Sequence, residues 1–112
     1  MILNDGPYGN ERPYNALRYA TSLISGSNAT VRIFLLGDGV ACGLRNQKTH
    51  EGFYNIAQML SVLVRRKVEV HACGTCLEAR GISEDMLVEG IKMGSMGELS
   101  DWSLDSGQII NF

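Results

Sequence analysis

Long apolar runs are missing from this sequence. The longest, Ile33-Phe34-Leu35-Leu36, covers four residues, against the roughly 20 needed to cross a bilayer as a helix. A membrane-spanning helix is excluded, and no membrane partner is expected. A basic excess is missing too: ten Lys and Arg stand against twelve Asp and Glu, for a formal net charge of −2. The chain therefore lacks the positive stripe with which a nucleic-acid binder replaces the counterions around phosphates, and no nucleic-acid partner is expected. Proline occurs only at positions 7 and 13, and 45% of the residues are hydrophobic against 20% charged, which is a compact rather than a disordered composition. The opening MILNDGPYG has no basic start and turns polar after three apolar residues, unlike a secretory leader, so a cytoplasmic location is expected. Cysteine is scarce and odd in number, at three. In a cytoplasmic chain that argues for thiol chemistry or a metal rather than for structural disulfides.

The 112 residues suit one domain, residues 1–112, at roughly 100–150 residues per domain. Glycines punctuate patterned segments. Pro13 fits the first turn of a helix because its missing N–H would be unpaired there, and Ala16, Leu17, Ala20, Leu23 and Ile24 repeat at helical spacing until Gly26. Val31–Leu36 is short, β-branched and aromatic, and ends at Gly37-Asp38-Gly39, so it reads as a strand buried on both faces. Phe53, Ile56, Ala57, Leu60, Leu63 and Val64 keep the 3/4 spacing of a second helix, with Arg65-Arg66-Lys67 where cations favour the helix dipole. Val68–Ala72 reads as a strand, followed by the turn Cys73-Gly74-Thr75-Cys76 and a short helical segment ended by Gly81. Ser83 opens another short helix ending at Gly90; Ile91–Met93 forms a strand, Met96, Leu99 and Trp102 mark a last helix, and Gln108–Phe112 a last strand. With Met1–Asn4 as a short first strand, the alternation predicts an α/β fold: an open, mainly parallel, five-stranded sheet covered by helices on both sides.

Ligands of open α/β sheets bind beyond the carboxyl ends of the strands, where Asp5–Glu11, Gly37–Cys42 and Cys73–Cys76 fall. Cys73 and Cys76 form a C-x-x-C at a strand-to-helix turn, where backbone N–H groups favour a thiolate over a thiol. Arg80 would add positive charge if the fold turns it toward the sulfur. Three other readings stay open: two small buried hydrophobes, a thioredoxin-like dithiol, and a metal site drawing on Cys42, Cys73, Cys76, His50 and His71, although no second half-site is present. Asn4–Gly9 matches no phosphate loop and reads as a tight turn. Asp38 is a candidate pocket carboxylate or a turn residue. His71 reads as a packed strand residue, Cys42 as a bystander thiol, and Trp102 and the methionines as core or interface.

Taken together, Asn-Asp-Gly-Pro-Tyr-Gly at 4–9, Leu-Gly-Asp-Gly-Val at 36–40, Gly-Leu-Arg-Asn-Gln-Lys at 43–48, Glu-Gly-Phe-Tyr-Asn-Ile at 51–56, Gln58-Met59-Leu60 and Cys73-Gly-Thr-Cys-Leu-Glu-Ala-Arg-Gly-Ile82 resemble the DsrE/DsrF-like sulfur-relay proteins, most closely their YchN-type branch. The resemblance covers nearly the whole chain, departing at the start, where family members carry further apolar residues before the Asn-Asp-Gly loop. It implies an α/β/α sandwich and a homo-oligomer, trimeric or hexameric, with the cysteine loop close to a subunit contact. It also implies sulfur donor and acceptor proteins as partners. The implied chemistry is a sulfane sulfur held as a persulfide on Cys73 and passed on, with Cys76 assisting. Asn4, Gly6, Tyr8, Asp38 and Arg80 would line the pocket. Neither a metal nor an organic cofactor is called for, since a persulfide carrier needs only an accessible, stabilised thiolate.

Overall fold

The computed structural model describes residues 1–112 throughout. Four parallel strands, β1 (Ile2–Leu3), β2 (Arg32–Leu35), β3 (Glu69–Cys73) and β4 (Lys92–Gly94), lie side by side in chain order. Helices α1 (Arg12–Gly26), α2 (Ile56–Arg65) and α3 (Gly74–Ala79) make the three crossovers between them, and α4 (Met96–Asp105) follows β4. Each crossover steps one place in the same direction, so right-handed connections put α1, α2 and α3 on one face. The chain after α4 returns to the far edge of β1, where Asn111 bridges Ile2. That backward step sends α4 to the opposite face. Trp102 of α4 accordingly packs edge-on to Phe34, 6.0 Å between ring centroids, and 4.6 Å from the His71 ring. Phe34 and His71 are register partners on β2 and β3, so both point to the α4 side. Strand alternation turns Ile33, Leu35, Val70 and Ala72 toward the other helices. The result is the expected three-layer α/β/α arrangement.

The sheet has four strands rather than the expected five. Gln108–Phe112 runs as an extended tail along β1, held by Ile2 N–H to Ile110 O at 2.8 Å, Phe112 N–H to Ile2 O at 2.9 Å and Asn4 N–H to Phe112 O at 2.9 Å. Only one bridge forms there, between Ile2 and Asn111, and no ladder follows. The segment after Ser83 is likewise a single 3₁₀ turn, Glu84–Met86, rather than a helix reaching Gly90.

Helix α1 places Pro13 in its first turn and buries Ala16, Leu17 and Ala20. The second helix begins later than the apolar spacing suggests, at Ile56, because the Asn55 side chain accepts the Gln58 N–H at 3.1 Å and caps it there. Phe53 is left outside, 70% exposed. Between β2 and α2 the chain forms a 3₁₀ segment, Gly37–Gly43, which opens with Gly37 at φ +57°, a left-handed conformation that glycine adopts without strain. This segment and the turn into α3 put Asp38, Gly37 and the two cysteines at the same end of the sheet.

Candidate functional site

Cys73 closes β3 and is at once the N-cap of α3, whose six residues continue directly from the strand. Its sulfur accepts the Cys76 N–H at 3.4 Å, and the residue is only 6% exposed. Burial pushes the Cys73 thiol above its ordinary pKa, helped by a hydrogen bond with the Cys76 side chain, while the N–H groups of Cys76 and Thr75 pull it down. Desolvation wins, so the resting residue is a thiol. The thiolate expected from the turn position alone is therefore not the resting form.

Cys76 is half-buried. Its sulfur accepts the backbone N–H of Gly37 at 3.2 Å, a contact across 39 positions that joins the end of β2 to α3. No side-chain motif announces this donor; the only signal in the sequence is the glycine after a strand.

Arg80 reaches back across the same end. Its Nη2 and Nε donate to one oxygen of Asp38, at 2.8 and 3.3 Å, and its Nη1 donates to the Cys76 carbonyl at 3.0 Å. The guanidinium is thus spent on a carboxylate and a carbonyl, and the structure pairs it with no sulfur. Asp38 is mostly exposed, so the pair sits at the rim. A Cβ added to Gly6 would come within 3.9 Å of the Asp38 carbonyl oxygen, which places the first loop beside that rim.

Asn4 and Tyr8 lie in other networks. The Asn4 carbonyl accepts the Gly39 N–H at 3.1 Å and its side chain donates to Phe112 O at 3.2 Å, tying the loop to the C-terminal tail. The Tyr8 hydroxyl donates to Gln47 Oε1 at 2.7 Å and accepts the Ile56 N–H at 3.3 Å, and its ring stacks toward Tyr54. It lines a cleft of about 510 Å³ with Lys48, His50, Phe53 and Tyr54. A second cleft of about 480 Å³ lies by Arg32, Trp102 and Gln108. Neither holds a cysteine.

Cys42 is fully buried, donates its S–H to the Asp5 carbonyl at 3.3 Å, and has its pKa pushed up to about 12, first by burial and then by the Asp5 carboxylate. His71 Nδ1 comes within 2.7 Å of Glu98 Oε1 beneath Trp102, but out of line for a hydrogen bond. No three His, Cys, Asp or Glu side chains gather as a metal-binding set. No helix is long and apolar enough to cross a membrane. What the arrangement can do chemically is thiol exchange, with two sulfurs, each accepting a backbone N–H, at the carboxyl end of the sheet.

Set against known proteins, the sequence matches the DsrE/DsrF-like family over residues 1–112. It is 42% identical over 113 residues to protein YchN of Escherichia coli strain K12, a match spanning 100% of this chain and 96% of YchN. The crystal structure of E. coli YchN superposes with a TM-score of 0.90 at 42% identity, covering 99% of this chain and 96% of that one. A more distant relative, a sulfurtransferase TusD homolog of Vibrio vulnificus, is 21% identical over 124 residues, spanning 100% of this chain and 95% of its own.

Proposed function

The chain belongs to the DsrE/DsrF-like family, and from that premise we propose that it is a small sulfur-relay protein that carries sulfane sulfur as a persulfide on Cys73. The observation that carries this reading is the position of Cys73: a thiol at the carboxyl end of a central strand, its sulfur receiving the backbone N–H of Cys76, whose own thiol is the second of the pair. The name of the distant relative, a sulfurtransferase TusD homolog, points the same way.

Loading needs no cofactor. The Cys73 sulfur attacks the outer sulfur of a donor persulfide, the donor's S–S bond breaks, and the donor leaves as a thiol with the proton Cys73 gives up. Delivery is the same exchange in reverse, with an acceptor nucleophile taking the outer sulfur and Cys73 leaving. Asp38 and Arg80 frame the rim, with the loop at Gly6 beside it. In this reading the protein works in the cytoplasm as a homo-oligomer, trimeric or hexameric, between donor and acceptor proteins. Leu104 at 89% and Phe53 at 70% exposure are apolar side chains that self-association would cover.

The test is intact-mass measurement after incubation of the reduced protein with cysteine persulfide. The Cys76→Ser variant is expected to gain one sulfur, about 32 Da, and the Cys73→Ser, Cys76→Ser double variant none. No gain by either variant, with Cys73 shown to be reduced and open to alkylation, overturns the reading and returns the pair to plain dithiol exchange or to a binding role.

A further inference from the structure

We propose that Cys76 discharges the Cys73 persulfide when no acceptor takes its sulfur, releasing hydrosulfide and leaving a Cys73–Cys76 disulfide. This rests on the relay reading above and adds a second activity to it, for which the substrates are small persulfides. Three observations carry it.

The first is reach. Cys76 donates its N–H to the Cys73 sulfur at 3.4 Å, which holds that sulfur against the residue that carries the second thiol. Side chains three apart at a helix start have Cβ atoms about 5–6 Å apart, against about 3.5–4.5 Å in a disulfide. Cys73 can close that gap, because as the N-cap it stands outside the helical conformation, at φ −55° and ψ 117°.

The second is the Gly37 N–H. It belongs to another element and points at the Cys76 sulfur from 3.2 Å. A hydrogen bond of this kind strengthens as its acceptor gains negative charge, so the sulfur that would attack is held by a donor suited to its charged form.

The third is enclosure. Cys73 is 6% exposed, so an acceptor reaches its persulfide only by docking at the rim. Until one does, Cys76 is the nucleophile at hand. Cys42 is not a competitor, because its thiol is fully buried and committed to the Asp5 carbonyl.

The step balances within the chain. The Cys76 thiolate attacks the Cys73 sulfur, the bond between that sulfur and the sulfane sulfur breaks, and the sulfane sulfur leaves with the electron pair as hydrosulfide. Two cysteine sulfurs are oxidised to a disulfide and one sulfane sulfur is reduced to sulfide. A dithiol reductant is then needed to return the pair to its starting state, so the reducing power around the protein decides how often it resets.

The experiment adds one equivalent of cysteine persulfide to the reduced full-length chain and to Cys76→Ser and Cys76→Ala, and follows hydrosulfide, intact mass and alkylatable thiols together. The wild-type chain is expected to release hydrosulfide in step with the persulfide added and to lose two alkylatable thiols, with peptide mapping joining Cys73 to Cys76. Both variants are expected to keep the added sulfur and release no burst. A wild-type chain that holds its adduct as long as the variants do overturns the discharge and leaves the relay standing. So does a disulfide mapped to Cys42. Variants that take no adduct, beside a wild-type chain that releases nothing, overturn both.

Discussion

A Cβ on Gly39 would stand 2.0 Å from the carbonyl oxygen of Leu3. The 3₁₀ segment after β2 passes so close to the end of β1 that only a residue without a side chain fits, and the Gly39 N–H uses the approach to bond Asn4 O at 3.1 Å and Leu36 O at 2.9 Å. Gly37 and Asp38 owe their places beside the cysteines to this contact. Gly39→Ala pits a methyl group against backbone, which cannot swing away as a side chain would. The expected cost is about 3 kcal/mol or more, in the range that marks core overpacking, read as a lower midpoint in urea unfolding. An alanine variant as stable as the parent would mean that β1 and the 3₁₀ segment are not held at this distance.

Asp38 and Arg80 provide the contrasting case. Their ion pair is 2.8 Å long but lies at the rim, with 79% of the Asp38 side chain exposed. Solvent screens it, so Asp38→Asn is expected to change stability by less than about 1 kcal/mol. Its effect belongs to the site instead: with the carboxylate gone, Arg80 keeps only the Cys76 carbonyl, and slower persulfide loading at unchanged thermal stability is the expected pattern. A loss of stability well beyond that limit would show the pair to be structural.

The elements with a strong local signal were legible in the sequence, and the contacts between distant segments were not. Pro13 and the apolar repeat up to Gly26 place α1 to within a residue at either end, because a proline in the first turn and periodicity are local signals. The same periodicity extended α2 backward to Phe53, since spacing registers an apolar residue but not the Asn55 cap that starts the helix later. Cys73 and Cys76 were found through their own spacing. The N–H that holds the Cys76 sulfur comes from Gly37, 39 positions away, and a backbone donor leaves no mark on residue type. The resemblance groups Tyr8 with the cysteines, on a loop that neighbours the strand ends; packing against Tyr54 and the hydrogen bond to Gln47 take its side chain elsewhere.

The C-terminal tail covers an edge. Ile110, Asn111 and Phe112 satisfy the backbone of β1 through the three hydrogen bonds between Ile2, Asn4, Ile110 and Phe112, and the Phe112 side chain packs against the core. Deleting 108–112 exposes that edge to water and to other chains. At roughly 1 kcal/mol for each net hydrogen bond, the expected loss is about 3 kcal/mol before the side chain is counted. The truncated chain is also expected to aggregate at concentrations the full chain tolerates. Denaturant unfolding and light scattering on the two chains check the two parts separately; a truncation that is both stable and monodisperse would show that the tail is an accessory.

Cys42 makes stability depend on pH in a direction that can be worked out beforehand. Its pKa in the folded chain is pushed up to about 12, whereas in the unfolded chain it takes the ordinary thiol value of about 8.5. Between those values the unfolded chain has released the proton and the folded chain has not, so the unfolded state is the one that gains as pH rises. The contribution is therefore complete below about pH 8.5 and falls by about 1.4 kcal/mol per pH unit above it, until the folded thiol ionises as well. Cys73, raised by burial in the same sense, adds to the fall. Tyrosines and lysines titrate in this range too, but they are common to parent and variant and cancel in the comparison. Cys42→Ala is thus expected to begin less stable than the parent at pH 7, for the packing it loses, and to lose less stability between pH 8.5 and 10. Parallel curves across that range would show that the unfolded chain does not ionise at position 42 ahead of the folded one, and that the thiol is less enclosed than its bond to the Asp5 carbonyl implies.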